Sequence, residues 1–240
     1  MCISLAELPL KSIDFLCGTS STDLPAVPEP DPLNLILYLP ASLNRIHVEK
    51  FIYNQFKTKH GAEIRYYMPY LLSMENSGGE VISAAGFRPA CKENLFLEQY
   101  LDEPVETLLS GYFEKNINRN LVIEVGNLAS DCPGSSRLMI MAMTCLFEQQ
   151  GFEWVVMTGT NELVNIFRNL DLQPVPLTPA EANRLNEEQH SWGSYYTHNP
   201  QVMTGNIKTG HKELSKTANY LQFISSIRAL NLSKCSQDRS

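Results

Sequence analysis

The chain has 240 residues, of which 43% are hydrophobic and 19% charged, a balance that excludes wholesale disorder, collagen-like and coiled-coil architectures. Twenty-six acidic against 19 basic residues give a net charge of −7, which argues against a nucleic-acid binder. Six scattered cysteines (2, 17, 91, 132, 145, 235) form no Cys-x-x-Cys pair and read as reduced thiols rather than a zinc site or disulfide framework.

The first residues lack the basic start and apolar run of a secretion signal, so a cytoplasmic protein is expected. The longest apolar runs, Leu33–Leu43 and Leu138–Phe147, are too short to span a bilayer. Residues 18–32 hold four prolines and read as a linker or draped arm, so residues 1–32 are set apart as an arm. The main domain is expected over 33–209, followed by a C-terminal helix and tail over 210–240.

Ser42 stands where it can cap a helix carrying Ile46, Phe51, Ile52 and Phe56 that stops near Gly61. Residues 62–75 and 80–88 read as a hairpin around Ser77-Gly78-Gly79. Asp102-Glu103-Pro104 opens a helix with Val105, Leu108, Leu109, Tyr112 and Phe113 on its apolar face. Leu121–Ala129 has the composition of a buried strand, and 135–150 that of a core helix. Strands follow at Glu153–Thr158 and Leu172–Leu177, with a helix at Asn161–Leu170 between them. A strand near Gln201–Lys208 and a helix near 212–230 close the chain. The run of strand, helix, strand, helix, strand predicts an α/β or α+β fold with a mixed sheet covered by helices on both faces.

Chemistry concentrates between residues 121 and 172. The loop Ser130-Asp131-Cys132-Pro133 leads into a helix start at Gly134, Ser135, Ser136 and Arg137. Unpaired N–H groups and small residues there suit an anion, with Arg137 adding a charged bond; the alternative is an ordinary Pro-Gly turn capped by Ser135. Glu124 lies among β-branched neighbours, either facing solvent or buried with a raised pKa suited to a general base. Gly126 inside the strand marks a bulge or a close backbone approach.

Trp192, Tyr195 and Tyr196, with His190 and His198 nearby, form an aromatic patch that reads as a substrate pocket with a phenol acid, or as packing. The histidines lack ligand spacing, so no metal is expected. Glu98 and Asp102, four apart, either hold an ammonium or form a solvated face. Cys132 beside the loop is read as a packing residue rather than a nucleophile.

The stretch Asn165–Val175 resembles the helix-to-strand passage of GNAT acyltransferases, with Asp171 in place of the usual glycine and no tyrosine acid. Ala84–Pro89, Leu95–Asp102 and Val122–Leu128 resemble the autoinducer-synthase and N-acyl amino acid synthase branch, with Arg88 and Glu124 carried over. More narrowly, Phe51…Gly61-Ala62, Met68-Pro69, Leu95–Asp102, Glu124–Ala129 and Trp192–Tyr196 are similar to the thermostable hemolysin family over about residues 45–210.

These resemblances imply a GNAT-like, mostly antiparallel sheet and transfer of a fatty acyl group from acyl-CoA or acyl carrier protein to an amine, including amino acids. The donor is then a co-substrate, with no permanently bound cofactor. Glu124 would be the base and Tyr195 or Tyr196 the acid. Gly126, Asn127 and Leu128 would polarise the thioester carbonyl, and Gly134, Ser135, Ser136 and Arg137 would hold the donor's phosphates. Arg88, Glu98, Asp102 and Trp192 would face the acceptor. The alternatives are a cytolysin that contacts membranes peripherally, and a scaffold that binds acyl carriers without turnover.

Overall fold

The computed structural model describes residues 33–227 and 230–232. The expected N-terminal arm (1–32) and the end of the tail lie outside the described residues. Eight strands form one sheet: β1 (Asn34–Tyr38), β2 (Tyr70–Glu75), β3 (Val81–Pro89), β4 (Val122–Ser130), β5 (Trp154–Gly159), β6 (Val175–Pro179), β7 (Gln201–Asn206) and β8 (Leu230–Leu232). Their spatial order is β6-β7-β5-β4-β3-β2-β1-β8. Only β4–β5 and β1–β8 run parallel; every other pair is antiparallel. The fold is therefore a GNAT-like mixed, mostly antiparallel sheet.

Helices cover both faces. One face carries α1 (Arg45–His60), α2 (Val105–Phe113) and the 3-10 turn Phe96–Tyr100. The other carries α3 (Pro133–Gln149), α4 (Asn161–Arg168), α5 (Ile207–Leu214) and α6 (Ala218–Ser226). The methionine-rich α3 is central to that second layer: Met139, Met141, Met143, Cys145 and Phe147 are all buried, as its apolar circumference demands.

Several elements depart from the sequence reading. α1 starts at Arg45 without a side-chain cap, because Ser42 Oγ accepts the Leu39 N–H instead. Its end is as expected, with Gly61 in the left-handed region at φ 64°. Of residues 62–75, only 70–75 join the sheet. Pro69 has no N–H to give, and the carbonyls of Met68 and Pro69 are taken by Arg45 at 2.5 and 2.7 Å. The expected closing helix is two, α5 and α6, because Thr217 starts a new cap by accepting from the Tyr220 N–H at 3.3 Å. The expected boundary at 209/210 falls inside α5, and Leu214, Tyr220 and Phe223 join the same core as α3. The apolar run Leu33–Leu43 contains a strand, β1. Cys132 and Cys145 are free, whereas Cys91, read from the sequence as a reduced thiol, is disulfide-bonded.

The sheet breaks regularity at one place that matters. Gly86 pairs with Gly126 and Ala84 with Ala129, so three steps on β4 oppose two on β3. The extra residue is a bulge, and Asn127 takes a positive φ of 51°. The strain is held by its side chain: Oδ1 accepts the Met68 N–H at 2.8 Å, and Nδ2 donates to the Tyr66 carbonyl at 3.3 Å. Met68 lies across the paired glycines. A Cβ on Gly86 would sit 2.5 Å from Met68 Cβ, whereas one on Gly126 would meet only the far end of the Met68 side chain, Cε, at 2.7 Å. Gly86→Ala is therefore expected to cost about 1–3 kcal/mol. Gly126→Ala should cost clearly less, a ranking that paired thermal melts will check.

Candidate active site

β4 and β5 pair in register from Val122/Trp154 only as far as Val125/Met157. Beyond that point β4 continues through the bulge to Ser130 and β5 to Gly159, each without the other. A bulge bends its strand and increases local twist, and here it coincides with the parting of the two strands. The result is a cleft of about 1070 Å³ running between them. Its walls include Glu124, Gly126, Asn127 and Leu128 from β4, Met157 and Thr158 from β5, and Met143 and Phe147 from α3. Residues 126–128 of β4 have no partner in the β5 ladder there.

Glu124 is 2% exposed yet forms part of this wall. The N–H groups of Phe96 and Leu97 donate to its two oxygens at 2.9 and 2.8 Å. Arg88, opposite it in the β3–β4 ladder, places Nε 3.3 Å from Oε2. Burial raises the Glu124 pKa to about 7, against the opposing pull of Arg88 and the two N–H groups. A carboxyl so poised exchanges its proton near neutral pH.

The 3-10 turn that supplies those N–H groups is itself pinned. Glu98 accepts the N–H of Leu95 at 2.8 Å and of Val105 at 3.0 Å, and it pairs with Arg119 at 2.6 Å. Burial alone would raise the Glu98 pKa. The Arg119 guanidinium and the backbone donors outweigh burial and hold it below the ordinary carboxylate value. Arg119 also bonds Glu106 at 2.6 Å and the Ala90 carbonyl at 2.8 Å, so one guanidinium ties the turn to α2 and to the end of β3.

Aromatic rings close the wall next to Glu124. Phe96 stacks on Tyr66 at 5.7 Å and meets Trp192 at 6.1 Å. Trp192 touches Tyr195 at 5.4 Å and Tyr196 at 6.2 Å. Tyr196 and Tyr100 share a hydroxyl–hydroxyl bond, and the Tyr195 hydroxyl donates to the Thr158 carbonyl at 3.4 Å. Burial, with Tyr196 adding to it, pushes the Tyr195 phenol well above its usual value, so it stays protonated. Gly193, at φ 53°, seats this segment: an added Cβ would lie 2.1 Å from the His60 carbonyl oxygen.

The cleft thus brings together Glu124, Gly126, Asn127, Leu128, Ser136, Trp192, Tyr195 and Tyr196. Arg88, Glu98, Asp102, Gly134, Ser135 and Arg137 do not line it. Arg88 is buried and paired with Glu124, and Glu98 is engaged by Arg119. The Asp102 side chain is 86% exposed and bonds Arg184 at 2.7 Å. Ser135 donates to Asp131 at 2.7 Å, while Arg137 is exposed on α3. Tyr66, Met68, Phe96 and Tyr100 also line the site; no local pattern in the sequence marks them for it, although Met68 and the Phe96–Tyr100 stretch sit in its most distinctive segments. Among the described residues no group of three or more His, Cys, Asp or Glu side chains is placed to hold a metal ion. Among them, too, no helix is long and apolar enough to cross a membrane.

The family model described as thermostable hemolysin matches residues 39–211. Among solved structures, the AHL synthase LasI superposes with a TM-score of 0.53 at 9% identity, over 74% of this chain and 91% of its own. FeeM, an N-acyl amino acid synthase from uncultured soil microbes, gives 0.51 at 9% identity, over 75% and 93%. TofI, solved in a ternary complex with an inhibitor and MTA, gives 0.50 at 14% identity, over 80% and 96%. No curated protein matches.

Arg88→Met should push the Glu124 pKa above about 7, because it removes the strongest influence lowering it. It should also destabilise the fold by about 3–5 kcal/mol, the usual cost of orphaning one partner of a buried pair. Carboxyl-selective NMR titration and chemical denaturation read the two effects separately. A buried acid whose pKa is raised binds its proton more tightly when folded. Relative to Glu124→Gln, wild type should therefore lose stability as pH rises from about 4.5 to about 7, and change little outside that window.

Proposed function

The chain belongs to the thermostable hemolysin family, and from that premise and the poised Glu124 we propose an acyltransferase that moves a fatty acyl group from a thioester donor, acyl-CoA or acyl carrier protein, to an amine. The carrying observation is a nearly fully buried carboxyl, with a pKa of about 7, in the wall of a cleft opened by a bulged strand. The fold likeness to LasI, FeeM and TofI supports this reading, since the first two are named as synthases of acylated products.

The chemistry balances without a cofactor. Glu124, directly or through one water, takes a proton from the acceptor's ammonium, and the free amine attacks the thioester carbonyl carbon. N–H groups at residues 126–128, where β4 has no β5 partner, stabilise the oxyanion. The C–N bond forms and the C–S bond breaks, and the nitrogen's second proton passes to the departing thiolate through the Tyr195 or Tyr196 hydroxyl or a water, which takes up one proton as it gives the other. The products are an amide and a free thiol.

Within this reading the donor's phosphates lie toward the start of α3, where the helix dipole favours an anion and Cys132, Pro133 and Ser136 line the cleft. The acyl chain runs along Ile140, Met143, Phe147, Ile166 and Leu172, which give that side of the cleft its apolar wall. Lysis of cells follows, in this account, from a surfactant-like acylated product rather than from a pore.

Purified protein incubated with acyl-CoA or acyl carrier protein and a pool of amines and amino acids should release thiol only when an acceptor is present, and mass spectrometry should identify the amide. The rate should climb with pH through about 7 as Glu124 ionises. Glu124→Gln should lose about 10²–10⁴-fold in rate together with that pH limb. Dye leakage from pure liposomes with no donor present, unchanged by Glu124→Gln, would instead establish a direct cytolysin.

A further inference from the structure

Resting on the acyl-transfer reading, we infer that the acceptor is a cationic amine with an apolar or aromatic body and no carboxylate of its own, because the cleft presents carboxylates and aromatic rings but, among the described residues, no uncommitted cation. The acids lining it are Glu124, Asp131, Glu162, Asp171 and Glu213. The lysines are Lys59 and Lys216, and each is already paired: Lys59 with Glu162 at 2.6 Å, and Lys216 with Glu213. His60 also lines the cleft, but burial, with Lys59 and His198 adding to it, holds its pKa below the usual histidine value and keeps the ring neutral.

Arg88 does not fill the gap. It does not itself line the cleft: 4% exposed, it lies over the Tyr66 ring at 5.1 Å and against Met68 Sδ at 3.4 Å, and its charge is taken up by Glu124 at 3.3 Å, Glu93 at 3.6 Å and the Asn94 carbonyl at 2.9 Å. Its Nη2 has no hydrogen-bond partner but is fully buried. The cleft wall therefore presents the carboxyl, and the guanidinium is already engaged by acids and a carbonyl. An amino-acid acceptor would bring its own carboxylate beside Glu124 without a counter-charge, and burying an uncompensated anion is costly.

The rings supply what an ammonium with an apolar body requires. Phe96 carries one of the two N–H groups that bind Glu124, so the aromatic wall of Phe96, Tyr100, Trp192, Tyr195 and Tyr196 begins at the carboxyl itself. Aromatic faces attract cations through their quadrupoles, Trp most strongly, and stack on the flat body of an arylalkylamine. Glu124 then receives the ammonium and takes its proton. The same arrangement that binds the acceptor also delivers it in the nucleophilic form.

Matched compounds test this directly. Tyramine and tyrosine differ only by the carboxylate, and tyrosol replaces the ammonium of tyramine with a hydroxyl. Calorimetric titration of the full chain without donor should show tyramine binding at least about tenfold more tightly than tyrosine or tyrosol. With acyl-CoA present, amine-dependent thiol release should favour tyramine over tyrosine by a similar factor. Trp192→Leu should weaken tyramine binding about tenfold, and Trp192→Phe should largely restore it. Equal or better binding and turnover of tyrosine overturns the inference while leaving acyl transfer standing. Selective tyramine binding without amide formation from any acceptor supports the acceptor class and rejects the acyl-transfer reading. Failure of tyramine to bind rejects the acceptor class outright.

Discussion

A carboxylate can remain in a protein interior only where donors replace the water it has lost, and the structure around Glu124 is organised to provide them. Two backbone N–H groups come from one turn and one guanidinium contact from the neighbouring strand. That supply is enough to keep the charged form accessible but not to make it dominant, so the group sits near neutrality instead of at the ordinary carboxylate value. The Glu98–Arg119–Glu106 network holds the donor turn in place from below. Its own groups do not line the cleft, and its contribution is the fixed position of Phe96 and Leu97.

The second constraint is backbone geometry. The extra residue in β4 places Asn127 at positive φ, and its side chain ties down the irregular segment before β2 through Met68 and Tyr66. Gly86 and Gly126 face each other there because Met68 occupies the space their side chains would need. Bulge, glycine pair and methionine form one packed unit at the point where β4 parts from β5. The cleft is thus a consequence of sheet geometry, with a carboxyl stationed just before the parting and aromatic rings beside it. Fold and candidate chemistry share the same few residues.

Much of this was legible in advance, because it follows from local rules. Apolar periodicity, a Pro-Gly helix start and the stop near Gly151 mark β4, α3, β5 and α4 to within about two residues at most ends. Glu124 stood out since a carboxylate flanked by Ile123 and Val125 must be either on a surface or specially held. Gly126 announced an irregularity one residue from where the bulge lies. The aromatic cluster at 192–196 was visible as composition. Less legible were partners far apart in sequence: Glu98 and Asp102 looked equivalent as an acidic pair, yet one is locked to Arg119 and the other points into solvent.

Sequence by itself determined the succession of elements, the apolar character of α3, and the presence of one anomalous acid in a buried strand. Each of these depends on side chains within a few positions of one another. Tertiary structure alone decided that β7 inserts between β5 and β6, that β4 and β5 separate after Val125, and that Phe96 and Leu97 reach Glu124 from nearly thirty residues away. Strand order, the loss of pairing and the charge of a buried carboxyl depend on which distant groups the folded chain brings within a few ångströms. No local pattern records those distances.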